Sequence, residues 1–166
     1  MSTNILIELA SPNDFEHIAS IYNEYILIGK STMEEEIHTA QHIQNWVTKF
    51  NDRERLYVIK EDNIPFGWGI IKKYSDREGY RFACETAIYI TQSKLRKGYG
   101  SLMKQHLISE CKALDYRHLV AKIFAKNKGS ILYNQRIGYT IVGTQKDIGF
   151  RNGKTVDIVI MQYLIQ

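Results

Sequence analysis

Apolar positions recur at helical spacing from Phe15 through Ile18, Ile21, Tyr22, Tyr25 and Ile26, which predicts a first helix. Ser11-Pro12-Asn13-Asp14 ahead of it supplies turn and helix-start chemistry, and Gly29 a stop. Upstream, Ile5-Leu6-Ile7-Glu8-Leu9 reads as a short strand. A second helix is expected from near Thr39 to Phe50, burying Ile43, Trp46, Val47 and Phe50. The pattern then turns to strands. Leu56–Lys60 and Phe66–Ile71 flank Asp62-Asn63 as a hairpin, in which Gly67 and Gly69 point to bulging or close packing. Ala83–Thr91 predicts another strand. A helix follows from about Gly98 to Leu114, with Leu102, Leu107, Cys111 and Leu114 as core candidates. His118–Phe124 is a strand, Asn127–Ile137 a helix closed by Gly138, and two last strands flank Asn152-Gly153. The order β-α-α-β-β-β-α-β-α-β-β predicts a mixed α/β (α+β) domain. Its sheet is mainly antiparallel, with a parallel component where helices cross over.

Composition narrows the class. The 166 residues suit one domain, so residues 1–166 are read as a single unit, and 44% hydrophobic content supports a sizeable core. Net charge is +4, which favours anionic ligands but falls short of a nucleic-acid-binding surface. Two cysteines cannot build a disulfide framework, and no apolar run approaches the ~18 residues of a membrane span. The first residues lack the features of a signal peptide. The expectation is a reduced, soluble, cytoplasmic protein with neither nucleic acid nor membrane as partner.

The strongest chemical signal is Leu95-Arg96-Lys97-Gly98-Tyr99-Gly100, between a strand and a helix. Glycines let backbone amides approach an anion, the helix N-terminus adds partial positive charge, and Lys94, Arg96 and Lys97 add more. A pyrophosphate fits, as does a tight turn with solvated cations. A dinucleotide fingerprint fails because Met103 holds its third glycine position, and a P-loop fails because Ser101-Leu102 follows Gly100.

The loop resembles the coenzyme A loop, Gln/Arg-x-x-Gly-x-Gly/Ala, of the GNAT superfamily of N-acetyltransferases. Asn127-x-x-Ser130 followed by Ile137-Gly138-Tyr139 is similar to that superfamily's next segment. More narrowly, the chain resembles the phosphinothricin and methionine sulfone/sulfoximine acetyltransferases. The matching pieces are Ile21-Tyr22-Asn23, Ser31–Glu36, Glu85–Ile90, Val142-Gly143-Thr144, and Gly149–Gly153 running on to Asp157 and Met161-Gln162. The likeness covers roughly Ile5 to Gln162. It implies a seven-stranded sheet with about four helices, acetyl-CoA as co-substrate without a metal, a small amine as acceptor, and a homodimer.

The resemblance also implies roles. Acetyl-CoA's pantetheine arm would bond the backbone of Ile88, Tyr89 and Ile90. Its pyrophosphate would rest on the amides of Arg96, Lys97, Gly98, Tyr99, Gly100 and Ser101, with Asn127 and Ser130 from the next helix. Glu85 would be the general base, buried and acting through water, with an amide of Ile88–Ile90 stabilising the oxyanion. Residues alone equally allow Glu85 to pair with Arg81. The superfamily commonly has Tyr, and this branch His, where Asn134 stands: Asn134 hydrogen-bonds the sulfur, or water protonates it, or the step is slow. Tyr133 is not assigned that task, since one helical residue turns a side chain by about 100°. Arg77, Tyr80 and Arg81 match acceptor-binding positions, and guanidinium groups suit a carboxylate or phosphinate. Ser75 replaces a family arginine, Cys84 a valine, Met33 an aromatic residue of the acceptor pocket, and Thr155 a tryptophan.

Other constellations are bland. His38 and His42 have zinc-motif spacing, but Thr39 stands where that motif needs Glu. Glu34-Glu35-Glu36 is a solvated run beside the family's acceptor pocket. Cys84 and Cys111 read as small core residues. The expected activity is acetyl transfer to the α-amino group of a small amino-acid-like molecule. Its rivals are a GNAT acting on a polyamine, aminoglycoside or protein N-terminus, and a non-catalytic coenzyme A-binding regulator.

Overall fold

The computed structural model describes residues 2–166. The chain runs β1 (Ile5–Leu9), α1 (Phe15–Ile28), α2 (Ala40–Thr48), β2 (Arg55–Glu61), β3 (Ile64–Lys73) and β4 (Ala83–Ile90). It continues with α3 (Tyr99–Ala113), β5 (His118–Phe124), α4 (Lys128–Ile137), β6 (Thr140–Arg151) and β7 (Lys154–Leu164). The seven strands form one sheet in the order β1-β2-β3-β4-β5-β7-β6. Every pairing is antiparallel except β4 with β5. The mixed α/β expectation holds, with seven strands and four α-helices.

Local chemistry explains the elements. Gly29 and Gly138 close α1 and α4 at φ of +73° and +120°, which side chains with a Cβ disfavour. Both hairpins turn on paired left-handed residues, Asp62-Asn63 and Asn152-Gly153, as two-residue turns of this twist require. Thr39 starts α2 in a reciprocal cap with His42, whose Nδ1 accepts the Thr39 amide hydrogen at 2.8 Å. His42 is therefore a capping residue, while His38 is tied separately, its backbone N–H donating to Asn23 Oδ1 at 2.7 Å. Among the described residues no group of three or more His, Cys, Asp or Glu could hold a metal, and no helix is long and apolar enough to cross a membrane.

Each face of the sheet has its own core. On one, α1 and α2 bury Phe15, Ile18, Ile43, Val58 and Trp68. On the other, Met103, Leu107 and Cys111 of α3 pack on Ile59, Ile71 and Leu119. The spacing 103-107-111 keeps one stripe inward. Leu102 lies one residue off it and is exposed, so the expectation of a buried Leu102 is corrected to Met103. The glycines of β3 serve close packing. A Cβ on Gly69 would meet the Met103 thioether at 3.0 Å, and one on Gly67 would meet Ile90 Cδ1 at 2.5 Å. The bulge also lies in β3: Ile59 pairs with Gly67 and Lys60 with Pro65, which leaves Phe66 as the extra residue directly before Gly67.

Candidate functional site

Strands β4 and β5 stay together for only three pairs, Ala83 with His118, Cys84 with Leu119 and Glu85 with Val120. Beyond Glu85 they part, and β4 runs on to Ile90 with β3 on one side and no strand on the other. The register identifies which peptide groups face the gap. Tyr74 N donates to Ala83 O at 3.1 Å, and Thr91 N to Phe66 O at 2.8 Å. The odd-numbered residues of β4 thus belong to the β3 ladder, and the even-numbered ones point away from it. Of the three residues expected to bond the coenzyme arm, Tyr89 is paired with Trp68 of β3, and its ring packs against Tyr22, Tyr25 and Trp68. Ile90 O accepts the Tyr25 hydroxyl. The Ile88 peptide groups and the Ile90 N–H are left facing the gap.

At the mouth of the gap the chain turns into α3. Arg96 and Gly98 are both left-handed, at φ of +61° and +85°, which curls successive N–H groups inward. The N–H groups of Tyr99, Gly100 and Ser101 lie in the first turn of α3, before its first helical bond from Leu102 N to Gly98 O. A Cβ at Gly98 would meet nothing within 4 Å, so the cradle is open. These donors, flanked by exposed Arg96 and Lys97, suit a pyrophosphate. Lys94 does not add to that field as expected. It is ion-paired with Glu61 and lies over Phe66. Ser101 and Tyr133 also line a groove of about 490 Å³ between α3 and α4.

Helix α4 presents its N-terminus and one buried amide to this region. Asn127 caps the helix, its Oδ1 accepting the Ser130 amide hydrogen at 3.2 Å, which leaves its Nδ2 for a ligand. Asn134 is 4% exposed and donates Nδ2 to Ser130 O at 2.8 Å, while its Oδ1 is buried without a partner. The Asn134 Oδ1 therefore offers an acceptor, which matches an amide N–H. Nδ2 has a second N–H besides the one given to Ser130 O, the donor that a hydrogen bond to the sulfur would use. The Tyr133, Tyr139 and Thr86 hydroxyls are likewise buried without partners. Burial pushes the Tyr133 phenol up to about 12.

Glu85 stands where the two strands begin to part, on the face of the sheet covered by α1 and α2. Its side chain is 36% exposed, less enclosed than expected. Its ion-pair partner is Lys122 of β5, at 3.2 Å, and not Arg81. Arg81 instead lies over the Phe82 ring at 4.6 Å. The Lys122 contact was invisible in the sequence because it arises only where β4 and β5 run side by side.

The remaining acceptor candidates form two groups. Arg77, Tyr80 and Arg81 lie exposed in the β3–β4 connection, at the N-terminal end of β4. Tyr80 stacks edge-on with Tyr74, and Arg77 has no ion pair among the described residues. Met33 lies against Gly149 of β6, which pairs with Val156, past the C-terminal end of β5. The two groups do not touch. They flank, from opposite ends, the stretch of sheet that carries Glu85 and Lys122.

Comparison with known proteins agrees with this arrangement. Residues 7–160 match the acetyltransferase (GNAT) domain family. The chain is 32% identical over 154 residues to an L-methionine sulfoximine/L-methionine sulfone acetyltransferase of Pseudomonas aeruginosa, covering 90% of this chain and 88% of that one. It is 26% identical over 158 residues to a phosphinothricin N-acetyltransferase of Alcaligenes faecalis, covering 94% and 80%. The crystal structure of a GNAT superfamily phosphinothricin acetyltransferase from Sinorhizobium meliloti, in complex with acetyl-CoA, superimposes with a TM-score of 0.90 at 26% identity, covering 99% and 89%. A sheet whose central strands part beside a glycine-lined helix start is thus shared with enzymes that hold acetyl-CoA, and the chain belongs to the GNAT acetyltransferase family.

Proposed function

We propose that this protein transfers acetyl from acetyl-CoA to the α-amino group of a small amino-acid-like acceptor, of the phosphinothricin or methionine sulfone/sulfoximine kind. The observation that carries the reading is the parting of β4 from β5 directly after Glu85. It puts a carboxylate at the point where unpaired peptide groups begin. Acetyl-CoA supplies the activated acyl group. The chain holds it with the Ile88 peptide groups, the Ile90 N–H, the Asn134 Oδ1 and the amides of Arg96–Ser101, with Asn127 Nδ2 and Ser130 beside them. Glu85 removes the amine's proton through water, and Lys122 holds the carboxylate in place until a cationic acceptor competes for it. Arg77, Tyr80 and Arg81 take the acceptor's anionic end from one side, and Met33 lines it from the other.

Calorimetry tests the cofactor half. Acetyl-CoA should bind stoichiometrically, and Gly98→Trp should weaken it by filling the cradle. Gly98 is left-handed, so backbone strain at the new side chain is a second source of that loss. Gly100→Glu supplies the check: φ there is ordinary, an added Cβ meets the Tyr133 phenol at an ordinary 3.6 Å from Oη, and the new carboxylate repels a phosphate. No binding by the parent at millimolar acetyl-CoA would overturn the proposal.

The acceptor half rests on charge. Arg77→Ala or Arg81→Ala should raise the KM for a carboxylate-bearing acceptor about ten- to a hundredfold while sparing acetyl-CoA affinity, the worth of one charged hydrogen bond. Equal turnover of decarboxylated amines by the parent enzyme would count against the clamp. The same two cations disfavour a polyamine or aminoglycoside. One observation favours a regulator that binds coenzyme A without turnover: Asn134 has no acidic proton to give a departing thiolate. Steady release of free thiol with an amine acceptor excludes that reading.

We read residues 1–166 as one cytoplasmic catalytic domain that pairs as a homodimer. Support for pairing comes from edge strand β6, which exposes Ile141, Val142, Ile148 and Phe150.

A further inference from the structure

Arg151 ends β6 with its side chain buried, at 5% exposure. No carboxylate lies within ion-pair distance of it among the described residues. Its guanidinium is spent on two backbone carbonyls far away in sequence: Nη2 donates to Ile26 O and Nη1 to Thr32 O. Ile26 O lies in the last turn of α1, where Gly29 has ended the helix and carbonyls lack helical partners. A cation there also faces the negative end of the helix dipole. One buried side chain thus caps α1 and holds the segment that follows it against the β6–β7 hairpin.

The surrounding contacts show what that tie fixes. Thr32 Oγ1 shares a buried 2.7 Å hydrogen bond with the Tyr22 hydroxyl and accepts the Glu34 amide hydrogen at 3.2 Å. Next to it, the Met33 thioether lies flat on Gly149. A Cβ at Gly149 would come within 2.6 Å of Met33 Cε and 2.9 Å of Sδ. Met33 nevertheless remains 39% exposed, so one side of it rests on the hairpin and the other faces open space. Its position depends on a glycine beneath it and on Arg151 beside it.

We propose that Arg151 is a positioning residue for acceptor recognition. It locks residues 30–37 onto the β6–β7 hairpin, so that Met33 forms a low apolar wall fitted to an acceptor with a slim, unbranched side chain. The inference rests on the acceptor reading above, since it takes Met33 as part of the acceptor's surroundings. It adds a cause for where Met33 sits and for which acceptors fit.

The test uses full-length protein with L-methionine sulfone and L-alanine as long and short acceptors. Arg151→Lys keeps the charge but loses the planar fork that reaches two carbonyls. Amide exchange in residues 30–37 should quicken by about tenfold or more, while β4 and acetyl-CoA affinity stay as in the parent. The KM for methionine sulfone should rise by about tenfold, with kcat little changed. Gly149→Ala, which leaves Arg151 intact, should raise the KM for methionine sulfone more than that for alanine. In a Met33→Ala background the Gly149→Ala change should add no further rise, because the clash is between these two side chains. Unchanged exchange in Arg151→Lys would overturn the tie. Quickened exchange with an unmoved KM, or a Gly149→Ala rise of the same size in the Met33→Ala background, would overturn the role in recognition. If the parent acetylates neither amine, the proposed acceptor class fails, and the exchange measurement still judges the tie separately.

Discussion

Replacing Glu85 by Gln is expected to cut turnover about 10²–10⁴-fold while leaving the fold and acetyl-CoA binding intact, the usual worth of a positioned general base. The fold should tolerate the change because Glu85 is half-exposed and its lost partner, Lys122, is more exposed still. A surface ion pair of this kind contributes roughly 0–1 kcal/mol. The deficit should depend on pH. An α-amine with a pKa of about 8 is mostly protonated below neutrality, where a base is needed most. At high pH the free amine is abundant, and the variant should recover in part. Asn134→Tyr provides the internal control, because it bears on the departing thiolate and should leave that pH dependence in place. The pH–rate profiles of the two variants beside the parent decide the matter. Parental turnover of Glu85→Gln across the range would reduce Glu85 to a structural partner of Lys122.

Why Glu85 was legible while its partner was not illustrates what sequence spacing carries. Strand β4, the glycine loop and α3 are contiguous, so alternation and a strand-to-helix glycine pair identify them locally. Gly29, Gly138 and the Asp62-Asn63 and Asn152-Gly153 turns are equally local, since each reports its own backbone angle. Lys122 meets Glu85 only through the β4–β5 register, and Arg151 meets Ile26 and Thr32 across more than a hundred residues. No local pattern encodes either contact. Leu102 shows a different limit. It is as apolar as Met103, and only the direction of the α3 stripe against the sheet decides which of them is buried.

The family resemblance assigns the coenzyme arm to β4 but treats Ile88, Tyr89 and Ile90 alike. Strand register separates them, because peptide groups alternate sides while the sequence motif does not. Asn134 is similar: its identity was plain, but which of its amide atoms is free follows from the Ser130 carbonyl one turn earlier. The two groups of acceptor candidates, Met33 and Arg77–Arg81, likewise carry no sign in the sequence that they lie at opposite ends of β5.

Lys104 was not singled out in the sequence at all, and it yields the largest stability effect expected. It lies among the inward residues of α3, 4% exposed, with Nζ 4.6 Å above the Tyr139 ring and no ion pair among the described residues. Burial pushes its amine down to about 8, with the nearby Cys111 and Cys84 acting in the opposite direction. The folded pKa lies below the unfolded value near 10.4, so the unfolded chain binds more protons between those two values. The Lys104 contribution to stability therefore rises with pH across that window, and below pH 8 the full cost of the buried charge is present. A shift of this size corresponds to about 3 kcal/mol, and contact with the Tyr139 ring offsets about 1 kcal/mol of it. Lys104→Met keeps the length of the side chain and removes the charge. It should stabilise the protein by about 2 kcal/mol at pH 7, and the gain should vanish near pH 10.5. Burial raises the Tyr133 and Tyr139 phenols, and the Cys111 contact followed by burial raises the Cys84 thiol. These groups therefore ionise first in the unfolded chain and lower stability as pH rises. They do so in parent and variant alike and cancel in the difference between the two. Urea unfolding of both proteins at pH 7 and pH 10.5 measures the two differences directly. A Lys104→Met protein less stable than the parent at pH 7 would show that the ammonium is held by the Tyr139 ring more strongly than burial disfavours it.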